Sequence, residues 1–416
     1  MKKIIVIFLV LVSSITLSQR SSVLFIGNSY TGANNLPLLT SQVANSAGFT
    51  LNYSAQTPGG AQLSQHINNT AIINAINSQQ WDHVVLQEQS QKPSFNPAYV
   101  SANVFPYAKR LCDTIRMNDS CTQPIFYMTW GRKFGDAGNC SASPWLCTYD
   151  GMDSALAVSY NTMGAQNDAF VSPVGAVWNY IIKNHPTINL YTSDNSHPNI
   201  NGSYAAACTF FTVIFREDPN LITFNSTVNS TIAADIRNAV KKVCFDSLVK
   251  WNVGKYDPVS NFSFNQYGST FVFANSSLKS DSYQWSFGDG GNSNAKNPTH
   301  NYSTPGNYTV SLISGKCKLY DTISQTVTVL PSSISENVLS KLNIYPNPSN
   351  NGVFMIKSFG LLNEDGAVYS FQGKLVRNFK INSNRQSINL SSLPKGVYFI
   401  KFSSTHSSTF KKIIIN

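Results

Sequence analysis

The sequence predicts an α/β domain, a parallel sheet layered between helices, followed by two small all-β sandwich domains. Three observations carry this prediction. Short apolar runs alternate with helix-like stretches from Ser22 to about Ser247. From about Pro258 to Leu330 the pattern changes to brief alternating strands punctuated by Gly, Pro and Asn. A third β-rich stretch, 341–416, follows the polar segment 331–340, which reads as a linker. At 416 residues, length alone suggests two or three domains.

In the first body (about 21–250), residues 23–26, 84–86, 125–128 and 169–171 are continuous apolar runs bounded by turn residues, as in strands buried on both faces. Residues 36–47, 100–116, 153–166 and 200–215 carry helical spacing between or after them. A three-layer, doubly wound arrangement of this kind binds ligands at the carboxyl ends of its strands. In the second body (258–330), residues 270–274, 282–287, 306–311 and 322–329 suit the strands of a sandwich. In the third, turns are expected at Phe371-Gln372-Gly373-Lys374 and Leu393-Pro394-Lys395-Gly396.

Charge excludes one class of function. The net charge of +10 sits at the two ends. Residues 341–416 hold ten Lys/Arg against two acids, and residues 1–20 hold Lys2, Lys3 and Arg20. The long stretch between is close to neutral, which argues against a nucleic-acid groove. Lys2-Lys3, the apolar run 4–12 and then Ser13, Ser14 and Ser18 have the order of an export signal, placed at 1–20. No later run is long and apolar enough to span a bilayer, so the mature chain is expected to be soluble or held at a surface. Seven cysteines fit an oxidising destination. Spacing suggests Cys112/Cys121, Cys140/Cys147 and the longer pair Cys208/Cys244, leaving Cys317 over. No pair has the spacing of a zinc site.

The chemistry is expected in the first body. The run 23–26 leads into Gly27-Asn28-Ser29-Tyr30-Thr31, which puts a serine hydroxyl just past a buried strand. Serine needs a neighbouring base to become nucleophilic. Near the domain's other end stands Asp194-Asn195-Ser196-His197-Pro198. The three-residue offset lets the carboxylate hold one imidazole nitrogen and leaves the other to take the serine proton. His66, His83 and His185 lack ligand spacing and read as structural or surface residues, and Trp130 reads as a core aromatic or a pocket wall.

On these residues, 22–215 resembles the SGNH (GDSL-like) hydrolase superfamily, a flavodoxin-like fold, in the subgroup whose first block is Gly-Asn-Ser-Tyr-Thr. The resemblance implies Ser29 as nucleophile, Asp194 and His197 as its partners, and Gly60 (or Gly59) as an oxyanion-hole donor. The third block departs from the family, because 84–86 runs into Gln87-Glu88-Gln89-Ser90-Gln91 where Gly-x-Asn-Asp is expected. A glutamine amide has the asparagine's donors on a longer arm; Gln87 is the first choice, with Gln89 and Gln91 behind it. No metal or organic cofactor is implied.

Residues 260–330 resemble a PKD domain, through Tyr283-Gln284-Trp285-Ser286-Phe287-Gly288-Asp289-Gly290 and through His300-Asn301-Tyr302 and Pro305-Gly306-Asn307-Tyr308. Residues 341–416 resemble the type A sorting domain of type IX secretion, through Leu342-Asn343-Ile344-Tyr345-Pro346-Asn347-Pro348, Leu393-Pro394-Lys395-Gly396-Val397-Tyr398 and Lys411-Lys412-Ile413. The latter implies handling by the type IX machinery, and then release or attachment at the outer surface. The leading expectation is a secreted serine esterase acting on acyl groups, acetyl above all, of an acylated polysaccharide. A lipase or thioesterase of the same fold is the nearest rival. A glycan-binding adhesin that has lost catalysis is the alternative from another class.

Overall fold

The computed structural model describes residues 19–330, 342–358, 364–403 and 408–416. The expected linker 331–340 and all but the last two residues of the expected leader lie outside them. The first compact unit runs to Asn261 and includes Ser276–Gln284 and Leu312–Ile323; the second holds Phe262–Asn275, Trp285–Ser311 and Ser324–Asn416.

The amino-terminal domain is a five-stranded parallel sheet. Its strands are β1 (Arg20–Ile26), β2 (Thr50–Gln56), β3 (His83–Leu86), β4 (Gln123–Tyr127) and β5 (Phe170–Ser172), in the order β2-β1-β3-β4-β5. The chain steps outward from β1 in both directions, so the carboxyl end of β1 lies at the topological switch point, where a doubly wound sheet opens a crevice. Val23, Leu24, Phe25 and Ile26, with Val84, Val85 and Leu86, have no exposed surface. That is why their runs are apolar throughout rather than alternating.

The helix Ile200–Phe215 is buried from Gly202 onward, so it packs as a core element rather than as an amphipathic surface helix. The predicted helix 100–116 is two: Pro97–Asn103 and Phe105–Asn118, broken at Val104 (φ −121°, ψ −57°) just before Pro106. Proline at the start of a helix is favourable, whereas inside one it removes a hydrogen bond and clashes with the preceding turn.

Phe271, Phe273, Trp285 and Tyr302 are buried in the β-rich body that follows. The strands here are β6 (Phe262–Tyr267), β7 (Thr270–Asn275), β8 (Ser282–Ser286), β9 (Asn292–Ser293), β10 (Thr299–Asn301), β11 (Gly306–Lys316) and β12 (Leu319–Val329), forming sheets β10-β7-β6 and β12-β11-β8-β9. The Tyr302 hydroxyl donates to the Phe287 carbonyl at 2.8 Å, so this buried polar atom is paired. The carboxyl-terminal stretch has the same plan, with a three-stranded and a four-stranded antiparallel sheet around Phe354, Ile356, Val368, Ile400, Phe402 and Ile413.

The disulfides correct the reading by spacing. Cys140–Cys147 is present, but Cys121 pairs with Cys317, 196 residues away. Cys112, Cys208 and Cys244 are free and buried. Cys112 faces the core from the inner side of its helix, while Cys121 stands in the exposed turn before β4, so neighbours in sequence point into different surroundings. Among the described residues no helix is long and apolar enough to cross a membrane.

Candidate active site

At the carboxyl end of β1 the chain turns through Gly27 and Asn28 into a single helical turn, Ser29–Gly32. The Asn28 side chain accepts from the Tyr30 N–H (3.1 Å) and caps this turn, while its Nδ2 donates to the Ala61 carbonyl (3.0 Å). Ser29 is thereby raised, half-buried, at the switch point. Its Oγ lies 2.9 Å from His197 Nε2. His197 Nδ1 lies 2.5 Å from Asp194 Oδ2. Three side chains from opposite ends of the domain thus form one chain of hydrogen bonds.

The loop that presents His197 is organised around Asp194. Asp194 Oδ1 accepts from the Thr192 hydroxyl (2.7 Å) and from the backbone N–H groups of Ser196 (3.0 Å) and His197 (2.9 Å). Burial works to raise the Asp194 pKa, but these bonds and the His197 ring outweigh it and hold the carboxyl well below the usual carboxylate range. The group is therefore a fixed anion beside the imidazole. Asn195 supplies the left-handed turn (φ 59°), and Asn34 donates from the other side to the Pro198 carbonyl (3.1 Å).

Behind the imidazole lies an aromatic stack. Tyr30 packs edge-on to His197 with centroids 5.0 Å apart, and parallel to Trp130, also at 5.0 Å. Trp130 stacks in turn on Trp178 at 3.7 Å. The Tyr30 hydroxyl bonds the Ser196 hydroxyl, and Trp130 Nε1 donates to the Ser196 carbonyl at 3.1 Å. Trp130 is fully buried, so of the two expectations it is the core aromatic. Asp153, which accepts from the Gly131 N–H (3.3 Å) and Asn179 (3.0 Å), anchors the same segment; burial pushes its carboxyl up to about 6.

The oxyanion-side residues divide. Gly60 lies in an exposed turn with φ +69°, and among the described residues its N–H has no intramolecular partner. Gln87, the first choice by sequence, lies on the inner side of the Ser29 turn. It is fully buried, its Oε1 accepts from the Asn28 N–H (3.0 Å) and the Thr31 hydroxyl (2.8 Å), and its Nε2 donates to the Glu88 carbonyl (2.5 Å). It is turned into the protein as a pin for the Ser29 turn. Gln91 is committed to Asp136 through Nε2 at 2.7 Å. Gln89 is half-buried, as is Gln91, but its amide nitrogen is bonded to a neighbouring glutamine rather than to a carboxylate. Its Oε1 is fixed by the N–H groups of Gln91 (2.9 Å) and Lys92 (3.2 Å), and Nε2 gives one bond to Gln91 Oε1 (3.0 Å), which leaves one amide hydrogen over.

Comparison with known proteins bears on all three bodies. Residues 263–329 match the family model of the PKD domain. Residues 343–416 match that of the secretion system C-terminal sorting domain, and the chain is accordingly exported, to the cell surface or the medium. Among solved structures the chain is similar to a DUF4886 family protein from Bacteroides uniformis, at 15% identity over 56% of this chain and 95% of that one, with a TM-score of 0.46. It is also similar to a protein described as an SGNH hydrolase from Slackia heliotrinireducens, at 24% identity over 47% and 98% of the two chains, with a TM-score of 0.38. The PKD1 domain of a Vibrio cholerae metalloprotease is 35% identical over 18% of this chain and 98% of its own, with a TM-score of 0.17.

Proposed function

We propose that the amino-terminal domain is a serine ester hydrolase of the SGNH type, carried out of the cell by its tail, and that it removes acyl groups, acetyl above all, from carbohydrate. The observation that supports it most is the 2.9 Å approach of Ser29 Oγ to His197 Nε2, with His197 Nδ1 tied to the Asp194 carboxylate. In this reading Ser29 Oγ adds to the ester carbonyl while His197 takes its proton, and Asp194 stabilises the imidazolium. The oxyanion rests on the N–H groups of Ser29 and Gly60 and on the Gln89 amide, in place of Gln87. Collapse of the tetrahedral intermediate expels the alcohol, which receives the proton from His197. Water, deprotonated by His197, then attacks the acyl-enzyme and regenerates Ser29 with release of the carboxylic acid. The carbohydrate preference rests on the export tail and on the PKD module joined to the same chain.

The test is hydrolysis of p-nitrophenyl acetate by the whole chain and by Ser29→Ala. Loss of roughly 10⁴-fold or more in kcat is expected, as for removal of the nucleophile in other triads. Equal rates in the two would overturn the reading. Rates that rise with acyl length beyond acetyl would replace the acetyl esterase with the lipase or thioesterase of the same fold.

A further inference from the structure

Glu88 is a carboxylate with 1% of its surface exposed, two residues past the end of β3, and the acyl-transfer steps leave it without a part. Its contacts explain its place. Both carboxylate oxygens lie 3.3 Å from the N–H of Leu63, three residues beyond Gly60, and Oε1 accepts from the N–H of Gln89 at 2.6 Å. Its backbone carbonyl accepts from Gln87 Nε2, and Gln87 in turn holds the Asn28 N–H. The turn at Leu63 that follows the Gly60 loop and the Gln89 segment therefore meet on Glu88, and the Ser29 turn reaches it through Gln87. We propose that Glu88 is a positioning residue that sets the Gly60 and Gln89 donors at one oxyanion position, an inference that rests on the ester-hydrolase reading.

A carboxylate suits this task because it offers acceptors to two N–H groups at once. A glutamine has one oxygen, and its NH₂ would face a backbone donor. An oxyanion hole accelerates the reaction only while its donors are preorganised where charge develops, so a donor displaced by a few tenths of an ångström lowers kcat and leaves ground-state binding nearly unchanged. Burial pushes the Glu88 carboxyl up to about 7, against the pull of the Gln89 and Leu63 N–H groups and of Lys92. The groups that face it are Lys92, on its own loop, and Tyr160, from the helix Tyr149–Gln166, whose phenol burial keeps neutral. Lys92 is also held over the Tyr99 ring and by the Gln62 side chain. Protonation of Glu88 removes an acceptor from the cluster, so the donors are best placed above neutral pH.

The experiment uses the whole chain and p-nitrophenyl acetate from pH 5 to 9. It compares wild type, Glu88→Gln, Lys92→Met, the double variant and Ser29→Ala, with thermal unfolding as a check on folding. Glu88→Gln is expected to lower kcat about 10- to 100-fold, short of the loss of a whole donor, with KM within about twofold. Lys92→Met is expected to move the acid limb of kcat/KM to higher pH in the wild-type background and not in the Glu88→Gln background. If Glu88→Gln keeps the wild-type kcat and pH profile while Ser29→Ala is inactive, the positioning role is overturned and the esterase stands. If Glu88→Gln fails to fold, the Lys92→Met limb decides: a shift supports the role and its absence overturns it. If Ser29→Ala is as active as wild type, both readings fall together.

Discussion

A methyl group at Gly27 would sit 2.2 Å from Thr31 Oγ1 and 2.7 Å from Gln87 Oε1. The glycine ahead of the serine is thus a matter of space, since the turn closes directly onto the Gln87 amide. The same contact separates the roles of two glutamines. Gln87→Ala would leave the Asn28 N–H and the Thr31 hydroxyl buried without their acceptor, at about 1–3 kcal/mol for each group. The unfolding midpoint should fall, and activity should fall only as the turn loosens. Gln89→Ala frees the half-buried Gln91 and Lys92 N–H groups, so it should lower the midpoint less than Gln87→Ala does and lower kcat by about 10²-fold. Thermal melts and steady-state kinetics on the pair check this, and the opposite pattern would return the donor to Gln87. Ser29, Asp194 and His197 were legible as residue types at telling positions. Which way a glutamine amide faces was not, because all three glutamines satisfy the same pattern and only their neighbours distinguish them.

Among the secondary-structure elements, the apolar strands were legible and the edge strand β2 was not. β2 follows the burial pattern intermediate, buried, exposed, exposed, intermediate, exposed, intermediate, so Thr50–Gln56 has no continuous apolar run to announce it. The amphipathic helix Ser230–Val243 was also missed; it buries Ala233, Ile236, Ala239 and Val240, a stripe weakened by its alanines. The segment after β4 carries Trp130, which contacts the Asp194–His197 loop through Ser196. Trp130→Phe keeps most of the stack between Tyr30 and Trp178 but removes the indole N–H from the Ser196 carbonyl. Loss of about 1–2 kcal/mol of stability is expected. The drop in kcat should exceed any change in KM, because His197 and not the substrate loses its support. Chemical denaturation and kinetics of this variant measure both, and an unchanged kcat would show that the stack serves stability alone.

For the molecule as a whole, the covalent link that spans the most sequence among the described residues is the Cys121–Cys317 disulfide. Cys121–Cys317 closes a separation of 196 residues, and beside it Lys318 pairs with Asp82 at 2.8 Å. Asp82 itself accepts from the Ser22 N–H and hydroxyl, both at 2.9 Å, so the contact reaches β1. Loop-closure entropy for such a length has a ceiling of about 5 kcal/mol, against about 2 kcal/mol for the seven-residue separation of Cys140–Cys147. Cys317→Ser should therefore lower the unfolding midpoint more than Cys140→Ser does. Calorimetry under non-reducing conditions ranks the two, and equal shifts would show that the long crosslink is not what holds this unit.

The sequence by itself determined the order of the three bodies, the buried strands of the sheet and the identity of the residues that meet at Ser29. It could do so because apolar runs, turn residues and short motifs are local properties of the chain. Only the tertiary structure decided that Cys121 takes Cys317 rather than Cys112, that Gln87 faces inward and that the Glu88 carboxylate takes the Leu63 and Gln89 N–H groups. Those outcomes depend on which distant segments share a surface, and pairing across space leaves no trace in the spacing of neighbours.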